Sequence, residues 1–314
     1  MGIADDLLRA FFEQHPEAKS GGLSLPELNK LMQGFQQGVN KTPNADFDGL
    51  SSEQMHFLLH EPFSAKAILQ FNKAMDQHLE TVPLFKLSEL LLAEIRDAGK
   101  LKLTTKGNLP VRVCELLFNQ QLIKWKYMKY VSRVREEEVP YLGPLKFYLI
   151  EEGIVKKRNN TLSFTKNGEK LMEGSQTARF ISLFFFFAKR FNWVNFYRLE
   201  DNGECGQLGW AYSLVLLGKY GDKARDSEFY SFKLIQAFEK EMWDHRVDPD
   251  YQGRIQSYHW AYSIRFFESF ASWFGLVNIE RKRNPQLPIF DQVIVSKSKL
   301  FDQLFESITR VDQK

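Results

Sequence analysis

One local phrase recurs three times along the 314 residues. An apolar helical stretch runs to a glycine, two short β-prone stretches follow, and a Ser/Thr–Lys pair opens the next helix. The copies are Leu90–Gly99 leading into residues 100–107, Tyr148–Gly153 into 154–168, and Phe266–Gly275 into Leu276–Lys299. Glycine reaches the left-handed conformation that ends a helix without the Cβ clash other residues meet. A hydroxyl at the far end accepts the free N–H groups of the next helix's first turn. Each copy therefore predicts a helix, a two-strand wing and a second helix. A chain built on such phrases is mainly α, with small β-wings.

The chain is long enough for two or three domains or one elongated body. A hydrophobic content of 44%, with 28 Phe, predicts a well-packed globular core. Two cysteines, Cys114 and Cys205, exclude a disulfide framework and point to a reducing, cytoplasmic setting. The opening residues MGIADD carry neither a basic leader nor a myristoylation pattern, so neither is expected. The strongest apolar run, Phe180–Ala188, is far shorter than the ~20 residues of a membrane span, so a buried helix and no membrane partner are expected. Charge is uneven. Residues 1–99 hold 8 Lys/Arg against 14 Asp/Glu, residues 100–170 hold 15 against 7, and residues 171–314 hold 19 against 18. A basic middle third suits phosphates, and it equally suits a solvated face.

Periodicity and breakers divide the chain into four parts: a helical region 1–83, a tandem helix-and-wing region 84–172, an aromatic-rich helical region 173–255 and a C-terminal unit 256–314. Ser24-Leu25-Pro26-Glu27 and Ser51-Ser52-Glu53-Gln54 are capping boxes that open helices, the second ended by Pro62. Further helices are expected at about 65–78, 84–98, 108–121 and 122–136, then at 177–191, 208–219, 227–243 and 255–274. A short strand is expected at Val194–Tyr197, and another at Gln292–Val295 before a final helix from Ser296.

The phrases GLSSEQMHFLLHEPF (49–63) and KLKLTTKGNLP (100–110) resemble a family of uncharacterised bacterial proteins with "GLSPEQM…PF" and "LKLTxKGNLP" patterns. Ser52 departs from that pattern, which has Pro there. The resemblance implies a fold and a bacterial source but no activity. Residues 148–168 are similar to the wing region of winged-helix transcription regulators, which makes the three phrases winged-helix-like units.

That likeness implies DNA or RNA as a partner, because a winged helix reads bases with the start of its recognition helix. The helices before the three glycines carry few suitable side chains: the second is apolar with Glu151 and Glu152, and the third is nearly all aromatic. Cations concentrate instead at the wing tips, Lys156, Lys157, Arg158 and Arg281, Lys282, Arg283, and along a stripe that includes Lys124 and Lys126. These eight are the expected contacts to nucleic acid or an acidic partner. The leading expectation is a non-enzymatic binding protein. A protein-interaction scaffold is the alternative, favoured by the apolar recognition-helix equivalents.

A metal-dependent enzyme is the second alternative, using Asp244, His245, Asp248 and Asp250 with His259 downstream; Asp also caps and turns ordinary loops. His56 and His60 stand four apart on a predicted helix face and lack a third ligand in sequence. Gly203, Gly206 and Gly209 precede a helix without a Walker or Rossmann pattern, and Cys205 between them reads as an exposed thiol. Cys114 reads as core, as do the aromatics of Phe180–Phe187. No catalytic set and no cofactor is expected.

Overall fold

The computed structural model describes residues 3–196, 205–244, 253–283 and 291–308. The fold is mainly α with two three-stranded antiparallel sheets. Helices α1 (Ile3–Gln14) and α2 (Leu25–Lys41) form an N-terminal pair, joined where the rings of Phe11 and Phe35 meet edge to face. Both capping boxes form: Glu27 accepts the Ser24 backbone N–H, and Ser51 exchanges bonds with Gln54 at the start of α3 (Ser52–His60). Between α2 and α3, Asp48 takes the left-handed conformation at φ 56°. Its carboxylate accepts from Lys219 at 2.6 Å, from the Tyr220 hydroxyl at 2.7 Å and from Lys233. Burial alone would raise the Asp48 pKa, but those three donors outweigh it and hold the group below the usual carboxylate range.

Two units then follow with one connectivity. In the first, α4 (Pro83–Ala98) leads to β1 (Leu101–Lys102), α5 (Val111–Phe118), α6 (Leu142–Glu151), β2 (Val155–Arg158), β3 (Thr161–Phe164) and α7 (Lys166–Glu173), with strand order β1-β3-β2. Helix α8 (Gln176–Phe185) crosses to the second. There α9 (Trp210–Tyr220) leads to β4 (Arg225–Asp226), α10 (Ser227–Ala237), α11 (Glu239–Asp244), α12 (Arg254–Tyr262), β5 (Val277–Arg283), β6 (Asp291–Lys297) and α13 (Lys299–Leu304), with strand order β4-β6-β5. Helix α12 runs on as a wider π-helical stretch, Ser263–Ala271.

The hydrogen bonds at the junctions match one for one. The helix before each hairpin ends at a left-handed glycine, Gly153 at φ 64° and Gly275 at φ 71°. The residue after that glycine bonds back five positions, Ile154 to the Leu149 carbonyl and Leu276 to that of Ala271. Such a bond closes the helix end. The hydroxyl that caps the next helix then donates to the glycine's own carbonyl, Thr165 to Gly153 at 2.5 Å and Ser298 to Gly275 at 2.6 Å.

These two junctions are the second and third copies of the sequence phrase. The first copy differs: β1 makes no hairpin and instead pairs with β3, Leu101 opposite Leu162 and Lys102 opposite Thr161. A single sheet therefore closes residues 84–172, where the tandem expectation has two wings.

Helix α8 joins the units. Its Phe180 ring meets Phe85 of α4 and Phe274 of the second unit, and Phe184 packs against Trp210, Phe270, Phe274 and Phe305. Arg179, 8% exposed, holds Glu89 of α4 through Nε and Nη2, at 2.9 and 2.8 Å.

Other expectations change locally. Residues 122–136 form one short helical turn, Met128–Tyr130, instead of a helix. A helix would line up Lys126, Lys129 and Arg133 at three- and four-residue spacing with no acid before Glu136 to offset them. Residues 65–78 are irregular until a 3₁₀ stretch at Met75–Thr81. Of the expected strand Val194–Tyr197, the residues up to Phe196 form a helical turn from Trp193, while Tyr197 lies outside the described residues. The expected helix 227–243 breaks at Phe238 into α10 and α11.

Gly153 and Gly275 share a backbone conformation but not surroundings. A Cβ on Gly153 would meet nothing within 4 Å, whereas one on Gly275 would lie 2.8 Å from Cδ of Pro83. Gly153→Ala is expected to destabilise the fold by about 1 kcal/mol from backbone strain. Gly275→Ala should cost that plus roughly 1–3 kcal/mol from overpacking. Urea denaturation of both variants measures the difference.

Candidate binding surfaces

The first sheet orders its cations by register. Lys102, Thr161 and Arg158 stand in one cross-strand row, and Lys156 faces Ser163 in another. Paired residues share a face and neighbours along a strand alternate. Lys102, Lys156, Arg158, Thr161 and Ser163 therefore occupy one face, while Val155, Leu101 and Leu162 turn their opposite face into the core. Lys157 belongs to the core-side set and folds its ammonium over Gly107 at the sheet edge. The expected Lys156–Lys157–Arg158 tip is thus split between two faces.

No acid forms an ion pair with Lys102, Lys156 or Arg158 among the described residues. The hairpin that carries them is held in place. Asn159 and Asn160 turn it at φ 48° and 55°, the left-handed pair of a two-residue hairpin loop. The Asn160 amide then donates to the Leu103 and Thr104 carbonyls at 3.2 and 2.6 Å.

The other expected contacts differ. Lys124 is exposed. Lys126 bonds to Asp291 of β6 at 2.8 Å, which raises its pKa, and Arg281 pairs with Glu268. Lys282 is exposed and lies 3.6 Å from Glu280, and Arg283 is exposed at the end of β5. The second hairpin is thus partly self-neutralised, and residues 284–290 at its tip lie outside the described residues.

Neither third helix offers a reading face. In α6, Leu142, Leu145, Tyr148 and Leu149 are buried. Phe147 leans on Phe186 and Phe191, and Lys146 bonds to Glu136 and the Gly107 carbonyl. In the second unit the residues from Ser257 to Phe274 are almost all buried. Part of the cover is the segment after α5, where Trp125 meets Tyr141 and Tyr141 meets Trp273 edge to face.

In sequence His259 groups with the loop 244–250. Asp244 is the exposed last residue of α11, residues 245–250 lie outside the described residues, and the structure gives His259, one turn into α12, other neighbours. Its Nδ1 is bonded to the Ser231 hydroxyl oxygen. The Ser231 oxygen also lies 3.0 Å from the Glu228 carbonyl; with its proton given there, the oxygen accepts from Nδ1–H and Nε2 carries the lone pair. Nε2 is buried with no hydrogen-bond partner. Burial lowers the His259 pKa to about 4, partly opposed by Asp226, so the ring is neutral near pH 7.

The His56 and His60 rings meet at 4.6 Å, tilted by 50°, on the exposed side of α3, and no group of three potential metal ligands occurs among the described residues. Cys114 is core, its thiol pushed up to about 12 by burial with Glu136 nearby. Cys205 is also buried, which corrects the expectation of an exposed thiol, and Gly203 lies outside the described residues. The aromatics of Phe180–Phe187 are core or pack against it, as expected. No helix among the described residues is long and apolar enough to cross a membrane.

Compared with protein-family models, with curated proteins and with solved structures, the chain matches none.

The buried histidine sets an acid sensitivity. Its folded pKa lies below the unfolded value of about 6.5, so the unfolded chain binds the extra proton first as pH falls. Stability is expected to drop between pH 6.5 and 4, by up to about 3 kcal/mol from this group. His259→Gln should flatten that part of the profile, read by urea denaturation across the range.

Proposed function

We propose that the chain is a non-enzymatic binding protein built on two winged-helix units, and that it contacts the sugar–phosphate backbone of a nucleic acid through the outer face of its first sheet. The observation that carries this reading is the cationic row and its hydroxyls: Lys102, Lys156 and Arg158 with Thr161 and Ser163 on one pinned face. Adjacent strands stand about 4.8 Å apart and alternate residues about 7 Å, so the three cations cover a patch the size of a few phosphates. Cations bind phosphate mainly by releasing counterions, and hydroxyls add hydrogen bonds that fix register without reading sequence.

The helix–strand–helix–helix–strand–strand order of the first unit, matched in the second when the broken pair α10–α11 is counted as one helix and α12 as the third, supports the winged-helix reading together with the central third strand. The third helix of the second unit is packed into the core, and α6 exposes only Phe147 and Glu151, so base reading in a major groove finds no suitable side chains to perform it. The contact proposed is therefore sequence-independent. Lys124, Lys157 and Arg283 are exposed at other positions and supply long-range attraction at most.

Fluorescence anisotropy with labelled duplex and single-stranded DNA and RNA, at several salt concentrations, tests this. The Lys102/Lys156/Arg158→Ala variant is expected to lose affinity for duplex and to lower the slope of log K against log salt by about 2 to 3, near 0.9 per lost phosphate contact. The control Lys30/Lys41→Ala, on the exposed surface of α2, should leave the slope unchanged. Equal slopes for the sheet variant and the unaltered chain would overturn the reading and turn the search to a protein partner.

A further inference from the structure

Between the two units lies a cleft of about 340 Å³. That is within the range of small-molecule sites, and it is independent of the sheet face described above. One side comes from the segment after α5, with Trp125 and Tyr127, and the other from the third helix of the second unit, with Trp260 and Trp273. Aromatic side chains line both sides of the cleft and favour a flat or alkylated ligand body with positive charge, Trp273 contributing little surface at 2% exposed.

The charges of the lining point the same way. Four carboxylates contribute, Asp226, Glu228, Glu268 and Asp291, against two cations, Lys126 and Arg281. Each cation is already committed: Lys126 to Asp291 and Arg281 to Glu268. Asp226 and Glu228 remain. Asp226 caps α10 by accepting the Glu228 backbone N–H at 2.9 Å and accepts the Gln292 amide, but neither carboxylate has an ion pair among the described residues. The protein around Glu228, and Asp226 beside it, push its carboxyl up, as befits a carboxylate with no cation of its own.

Two buried polar side chains on one face of the third helix complete the lining. His259 and Ser263, 7% and 5% exposed, are four residues apart and both border the cleft. His259 Nε2 is buried without a hydrogen-bond partner and accepts in the tautomer in which Ser231 donates to Glu228, and the Ser263 hydroxyl is also buried without a partner. A buried acceptor left unsatisfied costs free energy that a donor from a ligand would recover. The net charge of the lining is negative, which disfavours phosphate and carboxylate ligands.

We propose that this cleft binds an organic cation with N–H donors, a guanidinium or a protonated amine, between the tryptophans, with Asp226 and Glu228 facing its charge and His259 Nε2 accepting one of its hydrogens. The cation has two possible sources, a free small molecule or the side chain of an arginine or lysine in a peptide, and the chemistry of recognition is the same for both.

Calorimetric titration of the full chain, with tryptophan fluorescence as a second readout and no nucleic acid present, tests the proposal. The probes are agmatine for a free cation, the blocked peptide acetyl-Gly-Arg-Gly-amide for a side chain, and butylurea as a neutral analogue of the guanidinium. Agmatine or the peptide is expected to bind with a Kd below about 1 mM and to change tryptophan emission, whereas butylurea should not bind. Binding of the peptide as tightly as agmatine assigns a side-chain source, and binding of agmatine alone assigns a free one. Glu228→Gln, at an accessible rim position, should weaken binding about tenfold with no loss of thermal stability, and Ser263→Ala should weaken it less. Failure of both cationic probes to bind at about 10 mM, equal binding of butylurea, or unchanged affinity in Glu228→Gln would overturn the proposal.

Discussion

The Phe184 ring is the contact on which the arrangement of this chain depends. It sits on the helix that links the units and touches Phe63 and Phe71 from the segment after α3, Trp210 at the start of α9, Phe270 and Phe274 from the second unit's third helix, and Phe305 after α13. Phe180, one turn earlier, extends the cluster to Phe85 of α4. Edge-to-face ring pairs add modestly to the burial of large apolar surfaces, and here they recur between elements far apart in sequence. The two units consequently share a core and do not hang on a linker. Sharing it has a cost in function: the third helices, the parts of such units that reach outward in a groove reader, are held inward, α12 and its extension by Phe184 and α6 by Phe186, Phe187 and Phe191.

The common junction, a left-handed glycine whose carbonyl accepts from the hydroxyl that caps the next helix, fixes the exit of each hairpin. From that shared frame the units diverge in charge. The first leaves Lys102, Lys156 and Arg158 unneutralised on a sheet face, whereas the second pairs Arg281 with Glu268 and lends Asp291 to Lys126 of the first. Those pairs line the space between the units. One unit thus presents an open cationic surface and the other contributes most of an acidic aromatic cleft. Asp48 does comparable work at the other end of the second unit, where Lys219, Tyr220 and Lys233 tie the N-terminal helices down.

Much of this was legible in the sequence, and the failures share a cause. Glycine ends, hydroxyl caps and both capping boxes are local signals whose hydrogen bonds reach at most a few residues, so they could be placed correctly. The strands β1 and β4 are two residues each and exist because β3 and β6 pair with them across long stretches of chain, which periodicity cannot register. The first phrase was therefore taken for a separate wing. Basic residues were found but not sorted: alternation along β2 would have split Lys156 and Arg158 from Lys157 once the strand was known. Nothing local announces that Lys126 meets Asp291 or that His259 meets Ser231. In sequence His259 neighbours an acidic loop because it follows one, whereas its hydrogen-bond partner comes from α10.

Native-state hydrogen exchange is the most direct test of a shared core that holds both third helices. Amides of 142–151, 176–185 and 258–271 are expected to exchange at a common free energy, that of global unfolding, and to lose protection together as denaturant is added. Exchange of either third helix through a separate opening several kcal/mol below the global value would contradict the account, because that helix would then be able to leave the core and act as a reading element.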